Sequence, residues 1–449
     1  MPKKKIKRMG GTWRPVLRTR VYPVVPRAQQ KRWAEATDSA SYLHSMYFAH
    51  RDRLAPRYFD KFEEYPCPRG IGARLRWYLL DVGWRSWIQV RKYGSPVRQR
   101  TGELRSQQFW NMLRYSIQQP MSPKTYYRND FHRPEVRDRA GELLHRHELK
   151  GVLYPLASPG SGLEDTAPLN DKLRFADKAQ RHDLPVANTI ASITDGKVSL
   201  HTEELPRADL FVKPRSAKGG SGAQLWQYHH ESDQFCRGEG KKSLPAKKLL
   251  QRLASKAKND LLVQRRLVCD RELSDLSLTA IPTFRLITMT DEQGDPELVA
   301  GMFRMPATET AVVDNLHAGG IAARIDTEKG AIGPAVSLNP EQRSQYDTHP
   351  VTGAAISGRK IPNWHDVVSV VHDAHRSFSP RVIVGWDVCP SDQGPVLVEG
   401  NSQPGVGFLQ GPYDKPLGNE RFGQLLAHHI RANLDGPPAG QDAKEATAT

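Results

Sequence analysis

The sequence predicts an α+β protein preceded by a mainly helical region, and three observations carry that expectation. Residues 36–150 place apolar side chains at three- and four-residue spacing. From about residue 151 short apolar runs alternate with helix-like segments. Near the C-terminus two β-branched runs, VIVGWDV (382–388) and PVLVEGN (395–401), flank a stretch of Pro, Ser, Asp and Gly and read as a strand–loop–strand hairpin.

In the helical region, WAEATDSASYLHSMYF, ARLRWYLLDVGWRSWIQV and SQQFWNMLRYSI each carry the periodicity. The middle segment interleaves Trp77, Tyr78, Trp84 and Trp87 with Arg74, Arg76, Arg85 and Arg91. That composition suits a helix lying on an anionic membrane surface and also, more simply, one packed on its own domain. Gly83 weakens the helix either way. Further along, LFVKP (210–214), LLVQRRL (261–267), TFRLITM (283–289) and ELVAGMFRM (297–305) read as strands. AKKLLQRLASKAK (246–258) and NWHDVVSVVHDAHRSF (363–378) read as helices, the second with Asn363 as N-cap. The expected organisation is a basic, disordered tail over 1–35, helices over 36–150, two α+β subdomains over 151–260 and 261–434, and a small, polar, disordered end over 435–449.

The net charge of +16 is concentrated: residues 1–34 hold eleven Lys or Arg and no acid, so they supply +11 of it. Such a tail can keep a chain soluble or touch a polyanion or an anionic lipid surface, and it argues against a dedicated nucleic-acid binder. No apolar run reaches the 18 or so residues of a membrane-spanning helix, and the N-terminus lacks a signal peptide's apolar segment, so a cytoplasmic location is expected. Cys67, Cys236, Cys269 and Cys389 form no CxxC pair, which favours reduced thiols over disulfides or zinc.

The hairpin raises a chemical question. Paired strands would set Asp387 opposite Glu399, and period-two alternation would put Asn401 on the face of Glu399. Two carboxylates about 4 Å apart repel by roughly 1 kcal/mol in water and roughly 4 kcal/mol at an effective dielectric near 20. A hard divalent cation answers that repulsion, because Mg²⁺ takes oxygen ligands and accepts one or two carboxylates; solvated acids on a surface hairpin are the alternative. Upstream, the strand LFVKP ends in Lys213 and Pro214 and leads into Gly219, Gly220, Ser221 and Gly222, whose backbone amides could face phosphate oxygens or simply make a surface turn. Gln264 could lie at the edge that reads an adenine or in a plain buried strand. Arg285, inside an apolar strand, needs a carboxylate or a phosphate partner. Asn315, His317, Gly319 and Gly320 form a polar, glycine-rich stretch between apolar runs.

In this order the pieces resemble the ATP-grasp superfamily. DNLHAGGIAARID followed by GWDV and GPVLVEGNSQPG is similar to the alpha-L-glutamate ligase branch, and THPVTGAAISGRKIPNW (348–364), with the N-terminal helices, resembles the sugar-transfer associated ATP-grasp proteins. The resemblance covers roughly residues 150–430. It implies ATP held between two α+β subdomains, with Lys172 and Lys213 on its phosphates and residues 219–222 as a lid. Gln264, followed by Arg265 and Leu267, would stand at the adenine, where a glutamate is common in the family. Asp387, Glu399 and Asn401 would ligate a pair of Mg²⁺ ions, or Mn²⁺ in their place. Arg285 and Arg304 would steady the transferring phosphate, and Asn315 would line the reaction centre. The implied activity is a carboxylate–amine ligase working through an acyl phosphate, with a place in cell-surface polysaccharide or peptide-like metabolite synthesis. A phosphotransferase acting on a hydroxyl and a non-catalytic nucleotide-binding scaffold at the membrane surface are the alternatives. The family's usual N-terminal α/β subdomain is replaced here by the Trp- and Arg-rich helices, so the substrates are not implied.

Overall fold

A computed structural model describes residues 27–59, 71–118, 123–158, 167–216, 220–238, 243–257, 259–314, 316, 319–337, 345–410 and 415–435. The start of the basic tail, the C-terminal segment from 436, Cys67, Gly219, Asn315 and His317 lie outside the described residues.

Two antiparallel sheets carry the body. The first has six strands: β1 (Thr189–Thr194), β2 (Lys197–Leu200), β3 (Leu210–Pro214), β4 (Gln224–His229), β5 (Gln234–Cys236) and β6 (Leu261–Arg265), in the order β2-β1-β6-β3-β4-β5. Leu210 and Val212 of β3 and Val263 of β6 pack with Leu249 and Leu253 of the helix Ala246–Lys256. By alternation Phe211 and Lys213 stand on the opposite face, away from that helix.

The second sheet has seven strands: β7 (Thr283–Thr290), β8 (Pro296–Met305), β9 (Ile321–Ile325), β10 (Ile332–Ser337), β11 (Gln345–Tyr346), β12 (Ile383–Ser391) and β13 (Gly394–Asn401), in the order β11-β10-β9-β8-β7-β12-β13. Both its faces are covered, so its strands read as continuous apolar runs. Phe284, Leu286, Phe303, Val384 and Trp386 pack with Val367 and Val371 of the helix Trp364–Ser377. Ile287, Met289, Met302 and Ile383 pack on the other side against Leu43 of the helix Ser39–Phe59 and Leu425 and Ile430 of the helix Arg421–Asp435. Trp386 is fully buried and donates its Nε1 to Thr288 Oγ1 at 2.8 Å, so burial on the order of 3 kcal/mol is gained without leaving the indole N–H unsatisfied.

The elements expected from the sequence form with small boundary shifts, and three details differ. Asn363 sits at the cap position with φ +49° and its side chain makes no capping bond, so it turns the chain in the left-handed region instead of accepting from the helix. The segment WAEATDSASYLHSMYF is split between the helices Arg27–Glu35 and Ser39–Phe59, because the Asp38 carboxylate accepts from Ser41 N at 2.9 Å and starts a new helix. Residues 27–35, expected in the disordered tail, instead form a helix with Trp33 buried. The middle segment forms one continuous rod, α-helical over Ile71–Arg76, π-helical over Trp77–Trp84 and α-helical again over Arg85–Thr101. Gly102, at φ +75°, ends it and turns the chain into the helix Arg105–Gln118. Cys236, Cys269 and Cys389 are buried free thiols. Among the described residues no helix is long and apolar enough to cross a membrane.

Candidate nucleotide site

The hairpin β12–β13 sets Asp387 opposite Glu399, but by a route the sequence does not display. From Ser391↔Gly394 to Val388↔Leu397 the pairing is regular, and continued it would bring Val398 opposite Asp387. A β-bulge between Asp387 and Val388 shifts the register by one residue, so Asp387 meets Glu399 and Gly385 meets Asn401. The bulge decides the chemistry. Without it Glu399 would share the buried apolar face of Leu397; with it Glu399 and Asn401 turn to the face that carries Asp387. Gly400 is then driven to the packed side, where a Cβ would lie 2.5 Å from Leu169 Cδ2.

Asp387 is buried and held by arginines from the neighbouring strands. Arg285, its register partner on β7, grips it through Nε to Oδ1 and through Nη2 to Oδ2 at 2.8 Å. Arg304 on β8 adds Nη2 to Oδ2 at 3.2 Å. Arg285 therefore takes the internal carboxylate of the two partners open to it. Burial works to raise the Asp387 pKa, but the two guanidinium groups outweigh it and hold the carboxyl below the usual aspartate range.

Arg304 has a second carboxylate, Asp314, at 3.3 Å from Nε, and Thr283 Oγ1 bridges the two by donating to Asp314 Oδ2 while accepting from Arg304 Nε at 3.1 Å. Burial lifts the Asp314 pKa against the attraction of Arg304. Asp314 and Thr283 were not legible as site residues. The available signal was that a buried Arg304 requires a partner, but only the fold brings in Asp314, 31 residues beyond Thr283, to provide it.

Lys172 and Lys213 reach the same patch from outside the seven-stranded sheet. Asp171 caps the helix Lys172–Arg181 by accepting from Leu173 N and Arg174 N, which fixes Lys172 in its first turn with Nζ 3.4 Å from Glu399 Oε2. Lys213 is 7% exposed and interacts electrostatically with Glu399, Lys172 and Asp387. Burial draws its pKa down to about 8, Glu399 pulling upward and Lys172 pushing further down. Four cationic side chains thus surround Asp387, Glu399 and Asp314, an arrangement with positive charge to spare for an anion.

Of the lid, Gly220 and Gly222 adopt φ +71° and +80°, open to glycine without strain. A Cβ on Gly220 would lie 2.7 Å from Val313 Cγ2, so this glycine turn rests on the loop that carries Asp314. Ser221 is exposed. Gln264 is buried with Nε2 donating to Ala187 O at 2.9 Å, so its carboxamide ties two chain segments together; Arg265 is exposed and Leu267 half-buried beyond it. A cavity of about 660 Å³ lined by Trp226, Arg237, Arg252 and Lys256 opens beside the helix Ala246–Lys256, on the face of the six-stranded sheet away from Lys213, and shares only Gly222 with the predicted site.

The donor set can be tested against a cation. Asn401 spends Nδ2 on Gly385 O at 3.3 Å, which leaves its oxygen end for a ligand. Among the described residues no group of three His, Cys, Asp or Glu side chains is placed to hold a metal ion, so a cation here would rest on two carboxylates and this carboxamide. All-oxygen donors fit Mg²⁺ and exclude a soft-metal preference.

The profile of the sugar-transfer associated ATP-grasp family matches residues 164–423. The chain belongs to this family. The ATP-grasp segment therefore takes in both sheets, the lid and every predicted site residue, with the helices before residue 164 outside it. Among solved structures the ATP-grasp chain is similar to the D-alanine–D-alanine ligase of Bacillus anthracis complexed with ATP, at 12% identity and a TM-score of 0.34, covering 62% of this chain and 68% of that one. It is also similar to the L-amino acid ligase of Bacillus licheniformis, at 12% identity and TM-score 0.36, covering 64% and 53%. A third is the N5-carboxyaminoimidazole synthetase of Staphylococcus aureus, at 8% and 0.32, covering 58% and 52%. The match spans about half the length of the latter two chains. No curated protein sequence matches.

Proposed function

We propose that the protein binds ATP at this charged patch and joins a carboxylate to an amine. The observation that carries this reading is the convergence of Lys172, Lys213, Arg285 and Arg304 on Asp387 and Glu399, in a chain of the ATP-grasp family. Phosphate oxygens compete with Asp387 for Arg285 and Arg304. An arriving triphosphate would draw the guanidinium groups away and free the carboxylate beside Glu399 and Asn401. Asp387, Glu399 and Asn401 would hold Mg²⁺, which when bound neutralises phosphate charge.

The chain's own groups then have definable tasks. Lys172 and Lys213 hold phosphate oxygens, and Arg285 and Arg304 offset charge on the γ-phosphoryl group as a substrate carboxylate oxygen attacks it and ADP leaves. An amine nitrogen next attacks the acyl carbon, phosphate departs and the amine loses a proton. The lid over the Asp314 loop excludes water from the acyl phosphate. No side-chain nucleophile is needed. The family's sugar-transfer association directs the substrate search to carboxylates and amines carried on sugars or peptides.

The test is ADP release by the purified chain across a matrix of carboxylic acids and amines, with products weighed by mass spectrometry. The ligase reading predicts release that requires both an acid and an amine, and an amide product. ADP release with phosphate transferred to a hydroxyl, and no need for amine, would replace it with a phosphotransferase.

A further inference from the structure

The helical rod before the ATP-grasp segment carries an apolar stripe that the body does not cover. Leu75, Leu79, Trp84 and Trp87 are 57%, 63%, 44% and 44% exposed, with Leu80 and Ile88 beside them. Val82, Ser86 and Val90 of the same rod are buried. In an unbroken α-helix, at about 3.6 residues per turn, Trp84 would point roughly opposite to Leu75. The π-helical turns over Trp77–Trp84 wind less per residue, because their hydrogen bonds reach five residues instead of four. That slower winding brings Leu75, Leu79, Trp84 and Trp87 onto one face and leaves Val82, Ser86 and Val90 on the side that packs inward. The stripe is therefore a product of backbone geometry, and it is larger than scattered surface leucines would be.

Its chemistry is that of a membrane interface. Trp84 and Trp87 stack at 4.9 Å, and the Arg91 guanidinium lies 5.3 Å from the Trp87 ring centroid. The rod and the helix Arg105–Gln118 enclose a groove of about 600 Å³ lined by Trp87, Arg91, Arg105, Phe109 and Trp110, the last 67% exposed. Residues 71–118 carry nine Lys or Arg against two acids. One of the acids, Glu103, is turned inward to Asn111 and Arg137. Indoles and leucines level with arginines on an in-plane helix are the residues that partition into the headgroup layer and attract anionic lipid.

We propose that this stripe seats the protein on an anionic phospholipid surface, with Leu79, Trp84 and Trp87 in the headgroup layer and Arg91 and Arg105 on lipid phosphates. The occupant is lipid and not a second copy, because a symmetric partner would bring this cationic face against itself.

The test is co-sedimentation of the full chain with vesicles of phosphatidylcholine alone or with about one-third phosphatidylglycerol, in which added salt weakens the electrostatic share of binding. The expected result is binding to the anionic vesicles only, reduced about tenfold or more in Leu79→Gln/Trp84→Gln/Trp87→Gln with its helical circular dichroism unchanged. Brominated acyl chains should quench tryptophan emission of the unaltered chain, a readout that does not depend on the variant folding. Equal sedimentation of variant and parent, or no quenching, overturns the proposal. So does binding that disappears only when residues 1–34 are removed, which assigns it to the tail. Light scattering that shows self-association abolished by the same substitutions would mean a second copy covers the stripe.

Discussion

In the seven-stranded sheet charges are buried and paired, with Arg285 and Arg304 locked against Asp387 and Asp314; in the helical region buried His145 and His147 are kept neutral while Arg91, Trp84, Trp87 and Trp110 lie outside. His145 and His147 stack at 5.7 Å, and burial pushes both pKa values down to about 3. A buried charge is favoured where an opposite charge stands within hydrogen-bonding reach, as Asp387 does for Arg285 and Glu148 for His44, and burial suppresses it at His145 and His147. Lys172 and Lys213, brought to the sheet from outside it, add the positive charge that favours an anion. The helices put their unspent apolar surface on the outside.

The largest effect should come from disturbing the carboxylates. Glu399→Gln removes the charge between Lys172 and Lys213 and should lower ATP turnover about 10²–10³-fold with the fold intact, as measured by ADP release and circular dichroism. Turnover equal to the parent would reject the metal assignment. A smaller effect is expected at the lid. Gly220→Ala forces a left-handed backbone on a residue with a Cβ 2.7 Å from Val313, a strain of about 1–2 kcal/mol that should raise KM for ATP about tenfold. An unchanged KM would mean that the lid does not close on the 311–316 loop.

In the helical region the effect is on stability and not on turnover. The folded chain refuses protons at His145 and His147 that the unfolded chain accepts below pH 6.5, so stability should fall as pH drops from about 6.5 toward 3, by up to about 1.4 kcal/mol per unit for each residue. His44 works in the opposite sense, burial lowering its pKa but Glu148 raising it overall; its contribution is complete below pH 6.5 and does not cause the acid loss. Denaturant midpoints at pH 7 and 5 check this, and His145→Gln should flatten the dependence.

Much of this contrast was legible before any coordinates. The hairpin runs and the Trp–Arg helix are local patterns, and local patterns survive into the structure. What the sequence concealed depends on geometry between segments. The bulge that turns Glu399 toward Asp387 inserts Val398, a residue indistinguishable from its strand neighbours. Asp314 acquires meaning only when β7 and β8 pair Thr283 with Arg304. The repulsion between Asp387 and Glu399 was foreseeable, but the arginines that relieve it in this state come from strands more than 80 residues upstream of Asp387. In the rod, Leu75 and Trp84 share a face only because of π-helical winding that the spacing does not announce.

The account stands most directly on a triphosphate lying between Glu399 and Lys213. Calorimetric titration of ATP with Mg²⁺ into the parent chain and into Lys213→Met, at pH 7 and pH 9, tests it, since burial draws the Lys213 pKa down to about 8. Binding by the parent that weakens from pH 7 to 9, beside weaker and pH-independent binding by the variant, is the predicted result. Equal affinity in both chains at both pH values would contradict it.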